Sequence, residues 1–299
     1  MTFKSLSKFS LSLSAIAVVA SLVVLWKPGP RFSIEFTGGT LMDVQLPEQG
    51  SKEELQSALR TFVPKGGEAL QNVSVSGITG LRGTSYSIRM RPLSNEEHIQ
   101  LLEFLKEKFK SVQELQFNTI GPSVSASLKR QAFIALSVAS VAIILYLTFA
   151  FRKLPRKFKP WKFGVLAVIA FLHDVVITAG FFTLLGQVTN FEFDTLFVTA
   201  LLTILAYSSN DTIVIFDRIR ANLSFENRSE NFEETAARGL KQSVPRTMNT
   251  MMSVLIMLFA LFFLGSESIR WFILALIFGM IIGTYSSYFV ASALLLFWR

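Results

Sequence analysis

Two aspartates stand inside stretches of sequence that are otherwise free of charge. Asp174 falls in the apolar run 163–185, beside His173, and Asp211 falls in the run 195–216. A charged side chain at the centre of a membrane helix costs about 2.5 to 3.5 kcal/mol on insertion scales, so each one calls for a reason. At about 1.5 Å of rise per residue, Asp174 lies roughly 16 Å from the Phe163 end of its run, and Asp211 roughly 9 Å from the boundary marked by Asp217. Asp211 also has polar company in Tyr207, Ser208, Ser209, Asn210 and Thr212, with Tyr207 one turn away on the same face. Such a surface does not suit lipid. One role is structural: a buried carboxylate fixed by a hydrogen bond or ion pair for helix packing. The other is dynamic, a carboxylate that gains and loses a proton as water reaches it from each side. Burial favours a neutral acid and a nearby guanidinium favours the anion, so an arginine that moves would act as a switch. Arg246 is the candidate. It follows Pro245, which suits the first turn of a helix, and Thr247, Asn249 and Thr250 continue a polar face. The plain alternatives are a headgroup anchor for Arg246 and a purely structural network with His173 for Asp174. Asp217, Arg218 and Arg220 read as interfacial.

Composition removes several other chemistries. The 299 residues include no Cys, which excludes disulfides and thiolate nucleophiles, and only two His, His98 and His173, outside any HExxH pattern, so a zinc site is not expected. No GxGD or GxSG motif accompanies the membrane aspartates, which argues against an intramembrane protease. No GxxxxGK[ST] loop is present, so the chain is not expected to hydrolyse ATP. No cofactor and no enzymatic activity are expected. A net charge of +8 would suggest nucleic acid in a soluble protein, but 51% of the residues are hydrophobic, 29 are Phe, and mean hydropathy is +0.46. The bilayer is the expected solvent, and the basic residues set orientation.

The elements that must position these groups are membrane helices. About 20 apolar residues span the hydrocarbon, and six runs qualify: 9–26, 131–151, 163–185, 195–216, 247–265 and 271–298. The first follows Lys4 and Lys8 and reads as an uncleaved anchor, since the residues after it offer no small-x-small cleavage pattern. The segment 152–162 carries Arg152, Lys153, Arg156, Lys157, Lys159 and Lys162 and no acid, and 217–246 carries five further basic residues before Arg246. Both are expected in the cytoplasm, with 186–194 and 266–270 outside and both termini, including the tail 1–8, inside. The hydrophilic stretch 27–130 then forms one extracytoplasmic domain. Within it, 31–46 reads as strand with a break at Gly38 and Gly39. Ser51 with Glu54, and Ser94 with Glu97, have capping-box spacing. The stretches 72–78 and 84–91 alternate as strands about a turn at Gly80 and Gly83, Ile99, Leu102, Leu105 and Phe109 stripe a second helix, and 112–120 is the last strand. The order β-α-β-β-α-β is that of an α+β ferredoxin-like split βαβ.

The run from Ala206 through Tyr207, Ser208, Ser209, Asn210, Asp211 and Thr212 to Asp217, Arg218, Ile219 and Arg220 resembles the fourth-helix signature of the SecF family, which typically reads GYSxNDTIVVxDRIREN. Phe36-Thr37-Gly38-Gly39-Thr40 is similar to that family's DFTGGT, Arg246-Thr247-Met248 to the Arg-Thr-Leu that opens its fifth helix, and His173-Asp174-Val175 to its HDV. The motifs fall in order across essentially the whole chain. Ala206 stands where Gly is usual, Ser209 where a larger apolar residue is common, Ser33 and Glu35 where Gly and Asp are usual, and Ala221 where Glu is usual. The resemblance implies a place in the resistance-nodulation-division superfamily and in the bacterial inner membrane. It also implies pairing with SecD, and use of the proton-motive force to help the SecYEG channel and the ATPase SecA export unfolded chains. Carried over, Asp211 is the principal proton carrier, Arg246 its switching partner and Asp174 a further member, in surroundings made by Tyr207, Asn210, Thr212 and Thr247. A proton-coupled small-molecule efflux pump of the same superfamily and a non-transporting translocon scaffold are the alternatives. The single small outer domain disfavours the pump.

Overall fold

A computed structural model describes residues 3–46, 51–65, 68–70, 73–79, 84–109, 111–152, 159–224 and 232–298. The turn expected at Gly80 and Gly83, the strand start at Asn72, and the basic residues Lys153, Arg156, Lys157 and Arg228 lie outside them. The chain divides into two compact units, Phe32–Gln131 and the combination of Met1–Arg31 with Ala132–Arg299.

In the first unit, α2 (Ile34–Thr37) is followed by β1 (Gly39–Gln45), α3 (Lys52–Thr61), β2 (Ser74–Thr79), β3 (Thr84–Met90), α4 (Asn95–Phe109) and β4 (Gln113–Ile120). The strands lie in the order β2-β3-β1-β4, antiparallel throughout, with Met42 opposite Ile88 on one side and Phe117 on the other. This is the connectivity of the split βαβ. Leu55 and Leu59 of α3 and Leu101 and Leu105 of α4 close over Met42, Val44 and Ile88 in a single core. Both capping boxes form, each serine oxygen accepting from the N3 amide while the glutamate takes the serine amide.

Two local expectations fail. The stretch 31–46 is not a broken strand, because Ile34–Thr37 closes a helical turn on the Ser33 cap and buries Ile34 and Phe36. The helix stops because Gly38 and Gly39 have φ of 73° and 123°, and a Cβ on Gly39 would stand 2.8 Å from the Met90 carbonyl oxygen. In α4 Leu102, Leu105 and Phe109 of the expected stripe pack on the core together with Leu101, but Ile99, 56% exposed, points away from it.

The second unit is helical. Six helices among the described residues are long and apolar enough to cross a membrane. They are α1 (Phe3–Trp26), α5 (Pro122–Ala150), α6 (Pro160–Val188), α7 (Thr195–Ser224), α8 (Phe232–Leu264) and a last span. That span comprises a 3₁₀ turn (Glu267–Ile269), α9 (Arg270–Ser286), a π segment (Ser287–Ala291) and α10 (Ser292–Phe297). The segment 217–246, expected as a loop, is helical through Ser224 and again from Phe232. Pro245 accordingly sits inside α8 and not in its first turn. Burial of Thr235, Ala236, Gly239, Leu240 and Ser243 holds the helix through a residue that isolated propensity would make a start.

Candidate functional site

Two apolar clusters are stacked along this bundle. One gathers Phe163, Ala167 and Ala170 of α6, Ile215, Phe216 and Ile219 of α7, Phe232, Ala236 and Leu240 of α8, and Ala291 and Leu295 near the chain end. The other gathers Phe182 of α6, Phe197, Ala200 and Ile204 of α7, Leu255 and Leu258 of α8, and Ile273, Ile277 and Met280 of α9. On every one of these helices buried polar residues lie between the two clusters. The intervening layer consists of His173 and Asp174, then Ser208 to Thr212, then Ser243 and Thr247, then Thr284, Ser286 and Ser287, all but Asn210 buried.

Small residues bring the helices close enough for this layer to bond. A Cβ on Gly279 would fall 2.1 Å from the Ile204 side chain, and one on Gly283 would stand 3.1 Å from Ser208 Cβ and 3.6 Å from Asp174 Oδ2. At that separation Ser208 and Ser286 both donate to Asp174 Oδ2, at 2.7 and 2.8 Å, while His173 Nδ1 lies 3.0 Å from Oδ1. Asp174 is completely buried and joins α6, α7 and α9. His173 Nε2 is buried with no hydrogen-bond partner among the described residues. Asp211, also buried, is held differently: among the described residues its Oδ2 accepts from Thr284 alone, at 3.1 Å. The two sites are tied together by Ser287, which donates to the Ser208 carbonyl and therefore accepts from Thr212 at 2.9 Å.

The expected companions of Asp211 separate into two groups. Thr212 and Thr247 are buried in the layer, and the Thr247 hydroxyl has no partner there. The Tyr207 hydroxyl is buried by Thr284 without a hydrogen bond of good geometry. Asn210 and Arg246 face outward. Arg246 stands at the depth of the polar layer yet is exposed and makes no ion pair with any described residue. It shares that outward flank with Asn249, Thr250 and Ser253 of α8, and α7 exposes Thr199, Thr203 and Asn210. Asp217 pairs with Arg220 at 2.6 Å. Sequence reading missed Thr284, Ser286 and Ser287, although four hydroxyl residues in a row, Thr284 to Ser287, in an apolar helix are a visible signal.

The fold and this layer define a multi-pass membrane protein with an α+β domain inserted between its first two spans and ionisable groups at bilayer depth. The chain belongs to the SecD/SecF protein-export family. Residues 100–299 match the family model described as protein export membrane protein SecD/SecF, C-terminal, and residues 23–46 match the SecD/SecF GG motif, which includes Gly38 and Gly39. Protein translocase subunit SecF of Thermobaculum terrenum is 38% identical over 96% of this chain and 90% of its own length. SecF of Desulfurispirillum indicum is 34% identical over 99% of this chain and 91% of its own length. The crystal structure of SecDF from Thermus thermophilus superposes with a TM-score of 0.80 at 32% identity, covering all of this chain and 38% of that one. An accessory role in Sec-dependent export follows from this membership.

Proposed function

We propose that this chain uses the proton-motive force to assist export of unfolded proteins, with Asp211 as the group that takes up and releases the proton. The observation that carries the reading is the asymmetry of the polar layer. Among the described residues Asp211 has one hydroxyl donor, with acceptor capacity to spare. Arg246 is at its depth but turned outward beside Asn249, and lipid satisfies neither a guanidinium nor an amide, whereas Thr250 and Ser253 already donate to carbonyls of α8 itself. A flank of that kind requires protein or water against it. The SecDF relative carries more than twice this chain's length in one polypeptide, and a separate SecD subunit is the partner we assign to the α7–α8 flank. Packing and unpacking of that flank would bring Arg246 toward Asp211 or take it away. Asp174, tied to three helices, acts as the anchor against which this movement occurs.

The protein then lies in the bacterial inner membrane with both termini in the cytoplasm and the α+β domain outside, works with SecYEG and SecA, and is not itself an enzyme. One elementary charge crossing 100 mV supplies about 2.3 kcal/mol, the same order as the cost of placing an aspartate in a membrane helix. Proton movement is therefore sufficient to repack helices. In vesicles holding the companion subunits, Asp211→Asn should remove the proton-dependent part of export while insertion and assembly persist. Undiminished proton-dependent export in that variant rejects the reading.

A further inference from the structure

A lateral groove runs along the outside of α8 against α1 and the last span. Its upper part, of about 350 Å³, is walled by Val244, Met248 and Met251 of α8 and by Ile281, Thr284 and Tyr285 of α9. Its lower part, of about 190 Å³, is walled by Leu6, Ser7 and Ser10 of α1 and by Ala237 and Leu240 of α8. Tyr288 and Phe289 line both parts, so the two are neighbours along one path. Val244, Ile281 and Phe289 are each about two-fifths exposed, which makes the upper part open on its side and not an internal void.

One cation interrupts this apolar stripe. Ala237, Lys241, Val244, Met248 and Met251 follow one another at spacings of four, three, four and three, and so share a face of α8. Lys241 is exposed and makes no ion pair with any described residue. The acid nearest it on that face, Glu234, is two turns away, about 10 Å along the axis, and Glu233 takes the Lys4 backbone amide. Lys8, exposed, follows the groove residue Ser7. The upper part therefore has a lysine one turn beyond its Val244 end, at the junction with the lower part, and a path of Met and aromatic side chains running from there toward the middle of the membrane.

We propose that this groove is a binding site for an anionic phospholipid, with the phosphate at Lys241 and one acyl chain laid over Val244, Met248 and Phe289 as far as Met251. Charge complementarity selects the headgroup, and the apolar walls within the membrane-spanning part of α8 select a hydrocarbon chain over a water-soluble ligand. A lysine near the surface favours an anionic lipid by about fivefold. The groove floor includes Thr284, the donor to Asp211, so the bound chain would close the polar layer on its α8–α9 side.

The test is native mass spectrometry of the full chain, co-purified with its companion subunit and titrated with phosphatidylglycerol or phosphatidylcholine. Wild type should retain phosphatidylglycerol preferentially. Lys241→Gln, an exposed and conservative change, should lower that preference about fivefold, and Met248→Trp, which fills the groove, should reduce retention of both lipids. Equal retention of the two lipids by wild type, or retention unchanged by both substitutions, overturns the proposal, as does a complex free of bound lipid when the chain purified alone retains it, which would assign the groove to a partner helix.

Discussion

Asp174 and Asp211 sit in the same polar layer, about equally buried, yet their surroundings differ. Asp174 draws hydrogen bonds from two other helices onto one oxygen and faces a histidine with the other. Among the described residues Asp211 has a single hydroxyl donor, and Arg246 of α8 is turned outward. A carboxylate with its partners in place resists change, because any movement leaves donors unsatisfied in a medium without water. A carboxylate with unused acceptor capacity can exchange partners. On the proposed reading, one layer holds a fixed point and a movable one.

The contrast is broken most directly by comparing Asp211→Asn with Asp174→Asn. Proton-driven export should fall more than tenfold in the first and less than threefold in the second, read as translocation rate with and without a proton gradient. Equal losses would erase the distinction. Stability should respond in the opposite order. Asp174→Ala removes the acceptor of two buried hydroxyls and should lower unfolding stability by about 2 kcal/mol, whereas Asp211→Ala should cost about 0.6 kcal/mol, both followed by thermal unfolding in detergent.

Much of this was legible beforehand and some was not. The six spans and both aspartates announce themselves, because apolar length and an isolated charge are properties of the chain read one residue at a time. The capping boxes of α3 and α4 are equally local. What the sequence does not carry is which hydroxyl meets which carboxylate: Ser208 and Ser286 reach Asp174 only because Gly279 and Gly283 let α7 and α9 approach. The outward turn of Arg246 was hidden because Pro245 looked like a helix start, while tertiary burial carries α8 through it. The short helix at Ile34–Thr37 was missed because its cap and its glycine stop are compressed into six residues.

Smaller effects sharpen the same comparison. Gly283→Ala places a methyl 3.1 Å from Ser208 Cβ and should cost about 1 kcal/mol by wedging α7 from α9, weakening the Asp174 anchor without touching an ionisable group. Thr284→Val removes the one donor to Asp211 and should change the proton-dependent rate about threefold, in line with a typical membrane hydrogen bond of about 0.6 kcal/mol. A reference outside the membrane lies in the α+β domain. There the Arg91 guanidinium, 2.6 Å away, holds the Glu97 carboxyl below its ordinary value. Stability from a depressed carboxylate is present at neutral pH and is lost as pH falls below about 4.5 and through the lowered value. Glu97→Gln should speed amide exchange in the first turn of α4 at neutral pH by no more than about fivefold, the measure of a pair worth at most about 1 kcal/mol, and should make that exchange insensitive to acid.

The wide turn at Ser287–Ala291 puts slack into the last span. A π turn closes over five residues where an α turn needs four, so the spare residue is length that the helix can return by tightening. A stitch holds it open: the Ser10 hydroxyl on the Phe289 carbonyl, 2.9 Å long and reaching across 279 residues of sequence. Helix α1 thereby bears on the pitch of the last span, and a rotation in either loads this bond together with the contacts that the Tyr285 hydroxyl makes with Ser14 and the Ser10 carbonyl.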